Sequence, residues 1–277
     1  MFPPSRAGSR GRRWYVRNTV MSGHNRWSKI KHKKEASDSK RSKVWTKIIK
    51  EITVSARLGG GEIDGNPRLR AAVEKGRSVN MPNDVIDRSI KKGTGDLEGV
   101  SYEEFNYEVF GPGGTGLLVE IMSDNRNRTA SEIRNLIQRC NGNLGASGSV
   151  AWMFKKQGMI VFEKVAVDEN AITDQAIELG AEDIRTEGEA LIVVTEPKEF
   201  ERIREGLKAF PTGGQGGKKT PDPVSAEVTM VPQNVVRLVG KDAEGAVKLV
   251  NMLEDHDDVQ NVYSNMDVDE SVLESAG

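Results

Sequence analysis

Between Ser37 and Leu58 the apolar residues Val44, Trp45, Ile48, Ile49, Ile52 and Ala56 recur at the three- and four-residue spacing of one helix face. Lys40, Lys43, Lys47, Lys50 and Arg57 fall on the opposite side. Such a segment must bury its apolar stripe against other elements, and it carries a cationic stripe on its back. Ser37 or Asp38 is the expected N-cap, and the Gly59-Gly60-Gly61 run the expected stop. Two residues break the pattern, since Arg41 and Val54 sit on the wrong sides.

The following segments read the same way. Asn66-Pro67 opens a second helix through Ser78, with Asn as cap and Pro in the first turn. Asn83 or Asp84 caps a third, which Gly93 ends, and Gly93 to Gly99 makes a linker. After Val100 the texture changes. Residues 115–122, 149–154, 158–164, 190–196 and 226–232 are strand candidates by their β-branched and aromatic content. Helices are expected between them, the first opened by a Thr129 to Glu132 capping box. The expected fold is α+β and multidomain: an all-helical basic N-terminal domain followed by two small α/β lobes of split βαβ type.

Charge divides at the same place. Residues 1–100 hold 23 Lys and Arg against 10 Asp and Glu, a balance of +13, whereas the remainder holds 17 against 31, a balance of −14. A chain with two electrical ends points to a polyanion-binding end and an acidic body, the alternative being dispersed solubility charge. No run of about 18 apolar residues is present, which excludes a transmembrane helix. Cys140 stands alone and cannot form an internal disulfide, which fits a reducing, intracellular setting.

His24, His32 and His256 are too scattered for a metal centre. The Gly111 to Gly116 cluster lacks the Lys-Ser/Thr of a phosphate loop and reads as a tight turn. No metal, cofactor or catalytic triad is therefore expected, and the chain reads as non-enzymatic. The first twenty residues hold no acid and read as a disordered basic leader, either an upstream-start artefact or tail ahead of Met21 or a mitochondrial transit peptide.

The candidate nucleic-acid contacts are His24, Arg26, Trp27, Lys29, Lys31, His32, Lys33, Lys34, Lys40, Lys43, Lys47, Lys50, Arg57, Arg68, Arg70, Lys91 and Lys92. Trp27 either stacks on an exposed base or packs, whereas Trp45 shares the apolar arc and belongs to the core. Arg126 and Arg128 are secondary phosphate candidates beside a helix N-terminus, the alternative being a plain turn. Nothing places a recognition helix in a major groove. DNA and ribosomal RNA both remain open as partners, and a protein-interaction adaptor is a third reading.

Eight motifs occur together and in order: GHNRWSKIKHKK, KRSKVWTKIIKEI, LGGG, NPRLRAAVEKGR, NMPNDVIDRSIKKGTG, GPGGTG, DNRNRT and GNLGASGSVAWMF. From Met21 onward the chain resembles the YebC/PmpR family. The resemblance implies three domains: a helical one over 21–100, a discontinuous α/β one over 101–155 plus 222–277, and an inserted one over 156–221. It further implies a cytoplasmic bacterial protein or a mitochondrial relative. Family members carry the label of DNA-binding transcriptional regulator. Others act in translation, including the mitochondrial activator of cytochrome c oxidase subunit one and ribosome-bound factors that relieve stalling.

Overall fold

The computed structural model describes residues 38–209, 211–212 and 218–275. It is a mixed helix and sheet structure, as the α+β expectation requires. Among the described residues three helices come first: α1 (Asp38–Gly59), α2 (Pro67–Ser78) and α3 (Asn83–Thr94). They bury Ile48, Ile52, Ala56, Leu69, Ala72, Val73, Met81 and Ile86, with Val44, Trp45 and Ile49 packed at the margin. The Trp45 indole N–H donates to the Val79 carbonyl at 3.3 Å, a core role.

Asn66 caps α2 by accepting from the Leu69 N–H at 3.1 Å, and its amide donates to the Ser55 and Gly60 carbonyls. The α3 terminus differs from expectation. Pro82 is the N-cap and makes no side-chain cap bond, and left-handed Gly95 (φ 89°) ends the helix, so Gly93 lies inside it. Gly93 is required there by a close helix crossing, because a Cβ would stand 2.4 Å from the Thr53 carbonyl oxygen and 2.8 Å from the Ala56 Cβ. Gly93→Ala should therefore lower stability by about 1–3 kcal/mol through overpacking. A urea midpoint equal to that of the wild type would show that α1 and α3 separate without cost.

The remaining elements are β1 (Glu103–Phe110), β2 (Gly116–Ser123), α4 (Arg126–Arg139), β3 (Asn143–Leu144), β4 (Phe154–Glu163), α5 (Glu169–Glu178), β5 (Asp183–Glu187) and β6 (Ala190–Thr195). Then come α6 (Phe200–Ala209), β7 (Pro211–Thr212), β8 (Lys218–Lys219), β9 (Ser225–Pro232), β10 (Val236–Arg237), α7 (Gly240–Glu254), β11 (Val259–Ser264), β12 (Met266–Asp267) and α8 (Glu270–Ser275). Two four-stranded antiparallel sheets result, ordered β11-β2-β1-β3 and β5-β6-β4-β9. In the first, Val119 and Ile121 of β2 pack on α4 and α7 through Ile133, Ile137, Val247 and Val250. In the second, Ile160, Leu191 and Val193 pack on α5 and α6 through Ile172, Ala176 and Ile203.

Two details depart from the sequence reading. Strand β9 pairs with β4 along its whole length, from Phe154↔Pro232 to Val161↔Ser225. It therefore shares a sheet with 154–195, although the expected boundary at 222 sets it on the other side. Residues 149–153, read as part of a strand, form a turn and the short 3-10 helix Ala151–Met153 before β4 starts at Phe154. The glycine cluster is the β1–β2 hairpin turn, with Gly113 and Gly114 at positive φ.

Candidate functional site

The cationic stripe of α1 is the informative surface. Lys43, Lys47 and Lys50 follow at spacings of four and three, which puts them on one helix face. That face meets the C-terminal end of α7, where the last carbonyls and the helix dipole concentrate negative charge. Lys43 Nζ donates to the Asp255 carbonyl at 3.0 Å, Lys47 Nζ to that of Glu254 at 2.6 Å, and Lys50 Nζ to that of Asp257 at 2.9 Å.

Lys50 goes deeper and donates to Asp258 Oδ1 at 2.6 Å, the two side chains keeping only 8% and 6% of their exposure. Asp258 Oδ2 accepts from Thr129 at 2.6 Å, Arg128 at 2.9 Å and Ser123 at 3.1 Å. Burial pushes the Asp258 carboxyl up, but bonds from Lys50, Thr129 and Arg128 outweigh it and hold the group well below the ordinary carboxylate range. One carboxylate thus ties the helical unit to strand β2 and to the start of α4. Beside it, His256 Nδ1 accepts from the Asp258 N–H at 3.1 Å and Nε2 lies 3.0 Å from Glu132.

This corrects part of the predicted interface. Lys50 is buried and cannot reach a phosphate, whereas exposed Lys43 and half-buried Lys47 each donate to a carbonyl of the same chain. Arg57 donates to Ser101 and Tyr102, Arg68 pairs with Glu51 and Glu104, and Arg70 donates to the Asp64 carbonyl. Of the secondary pair, Arg128 bonds Asp124 and Asp258, and Arg126 lies over the Phe105 ring at 4.8 Å. Helix α4 starts at Arg126 with Asn125 as its cap, so Thr129, expected as the cap, is free to serve Asp258. Lys91 and Lys92 remain exposed and have no ion pair among the described residues, as do Lys75 and Arg77, which the sequence reading passed over. His24, Arg26, Trp27, Lys29, Lys31, His32, Lys33 and Lys34 lie outside the described residues, as does the side chain of Lys40.

A second carboxylate was also missed. Glu108 accepts from the backbone N–H groups of Gly148, Val150 and Ala151, the last at 2.8 Å. Burial raises its pKa, but the three donors together win and leave it depressed. No sequence motif announces such a bond, since the partners are backbone groups about forty positions away. Glu108→Ala should strip three donors of their acceptor and cost about 1–3 kcal/mol. Hydrogen exchange at Gly148, Val150 and Ala151 should accelerate, and unchanged protection there would refute the role.

The fold and this arrangement define a class: an α+β protein whose basic helical end is clamped onto an acidic body. Residues 25–96 match the TACO1/YebC protein N-terminal domain, and residues 102–266 match the TACO1/YebC second and third domain. The chain belongs to the TACO1/YebC family. A probable transcriptional regulatory protein of Geotalea uraniireducens is 54% identical over 254 residues, covering 92% of this chain and 99% of the relative. Another of that name from Geobacter sulfurreducens is 54% identical over 256 residues, with the same coverage. A crystal structure of a conserved hypothetical protein from Aquifex aeolicus superposes with a TM-score of 0.74 at 40% identity, covering 88% of this chain and 97% of that one.

Proposed function

We propose that the protein is a non-enzymatic regulator of gene expression that binds nucleic acid through backbone phosphates, using the basic segment from His24 to Lys34 together with Lys91 and Lys92. The observation that carries this reading is the clamp of α1 on α7. It anchors the helix that the basic segment runs into, and it buries Lys50 away from any phosphate. The name carried by the relatives makes transcription the first process to assay. The reading takes the helical unit as the nucleic-acid-binding domain and the two lobes, one inserted in the other, as the body that presents it.

A specific observation favours a second reading, a ribosome- or ribosomal-RNA-associated translation factor. Helix α1 is covered on its apolar face by α2 and α3 and on its lysine face by the end of α7, so that residues 48–56 include no exposed side chain to enter a major groove. Recognition by shape and phosphate suits structured RNA as well as DNA. Crosslinking in the native cells, with sequencing of attached RNA and DNA at one salt concentration, separates the two. Discrete promoter DNA supports the transcriptional reading, ribosomal RNA the translational one. Recovery of neither would refute nucleic-acid binding.

A further inference from the structure

Trp152 is 67% exposed, the most exposed aromatic side chain among the described residues whose exposure is high enough to stand out. Hydrogen bonds and packing hold it in place. Its indole N–H is already used, donating to the Ser149 carbonyl at 2.9 Å, so the ring offers its face and no unpaired donor. The short helix that carries it, Ala151–Met153, is pinned from behind by Glu108, which accepts from the Val150 and Ala151 N–H groups. It is anchored further by fully buried Val150 and by Phe154. An indole held this way loses little freedom when a flat partner stacks on it.

The residues flanking Trp152 along the chain point to the kind of partner. The acidic half holds 31 Asp and Glu, yet none falls between Ile133 and Phe162. That window contains Arg134, Arg139, Lys155 and Lys156. Arg134 and Arg139 belong to α4, which packs on the sheet face of Val119 and Ile121, opposite the face of Leu118 that holds Val150 and Phe154. Lys155 pairs with Glu182, whereas Lys156 is exposed and has no ion pair among the described residues. Ala146, Ser147 and Gly148, also exposed, let a ligand backbone approach the loop closely. An aromatic face followed four positions on by an unpaired lysine, on a small-residue loop whose neighbouring carboxylate Glu108 is already saturated by three N–H donors, fits a base with its adjoining phosphate better than an apolar protein surface.

We propose that Trp152 is a stacking platform for an unpaired base of a single-stranded nucleic-acid segment, with Lys156 contacting the adjoining phosphate. This rests on the reading of the protein as nucleic-acid-binding. It adds a second contact, in the acidic body and separate from the basic N-terminal segment, and it demands an unpaired base that a closed duplex does not supply.

Fluorescence anisotropy of the full chain tests it with two labelled probes of one mixed sequence, a single-stranded RNA of roughly 12 nucleotides and its blunt duplex. Trp152→Ala should weaken single-strand binding about 5- to 100-fold, and Trp152→Phe by no more than about threefold, because any aromatic face can stack. Duplex binding should change less than about twofold, and the salt slope of Trp152→Ala should match the wild type, because stacking releases no counterions. Lys156→Ala should instead lower the single-strand slope by about 0.7. Trp152→Ala binding the single strand as the wild type does, or losing both probes equally, would overturn the proposal. Failure of the wild type to bind either probe would sink the nucleic-acid reading itself.

Discussion

Asp258→Ala should lower stability by about 3–5 kcal/mol, because it leaves the buried Lys50 ammonium without its counter-charge. Thr129 and Ser123 would lose an acceptor at the same time. Removing both charges is a different matter, since an apolar pair of similar volume avoids the desolvation cost of the ions. The double variant Lys50→Met, Asp258→Leu should therefore recover a large part of the loss in urea denaturation. A single variant as stable as the wild type would mean that the clamp contributes nothing to holding the helical unit in place.

The same carboxylate sets a pH dependence. Its folded-state pKa is depressed, so its contribution is fully present above the unfolded value of about 3.9 and is lost as pH falls below it. The wild type should lose stability steeply below about pH 4, and Asp258→Ala should show a shallower acid limb. Parallel limbs would contradict the assignment.

Replacing Lys29, Lys31, Lys33 and Lys34 together with Ala should cut nucleic-acid affinity by at least about 100-fold near 0.1 M salt, and reduce the salt slope by about 3 to 4 for four lost phosphate contacts. Stability should not change, because charged residues of this kind contribute little to folding when they face solvent. Replacing Lys43 and Lys47 with Ala should do the reverse. It removes two donors from the end of α7, lowering stability while leaving the salt slope unaltered. An unaltered slope in the quadruple variant would remove the N-terminal segment from the interface.

Much of the architecture was legible because it depends on local chemistry. The arc of Ile48, Ile52 and Ala56, the Asn66-Pro67 helix start and the hairpin at Gly113-Gly114 follow from spacing, capping and φ preference, and each is found where expected. The end of α3 was misplaced because Gly93 resembles a stop signal. Its actual role, letting α1 approach, depends on Thr53 and Ala56, forty and thirty-seven positions earlier.

The cationic stripe is where sequence and structure part. By itself the sequence determined that Lys43, Lys47 and Lys50 share a helix face, because helix geometry is local. It held one clue to what that face meets. Val54 continues the same stripe and looked misplaced there, yet it is fully buried, as it must be if the lysine side of α1 is itself an interface. Only the tertiary structure decided that the lysines meet the carbonyl end of α7 and the carboxylate of Asp258. A lysine is attracted to a phosphate and to a helix C-terminus by the same electrostatics, and which of them it meets depends on where residues some 200 positions along the chain come to rest.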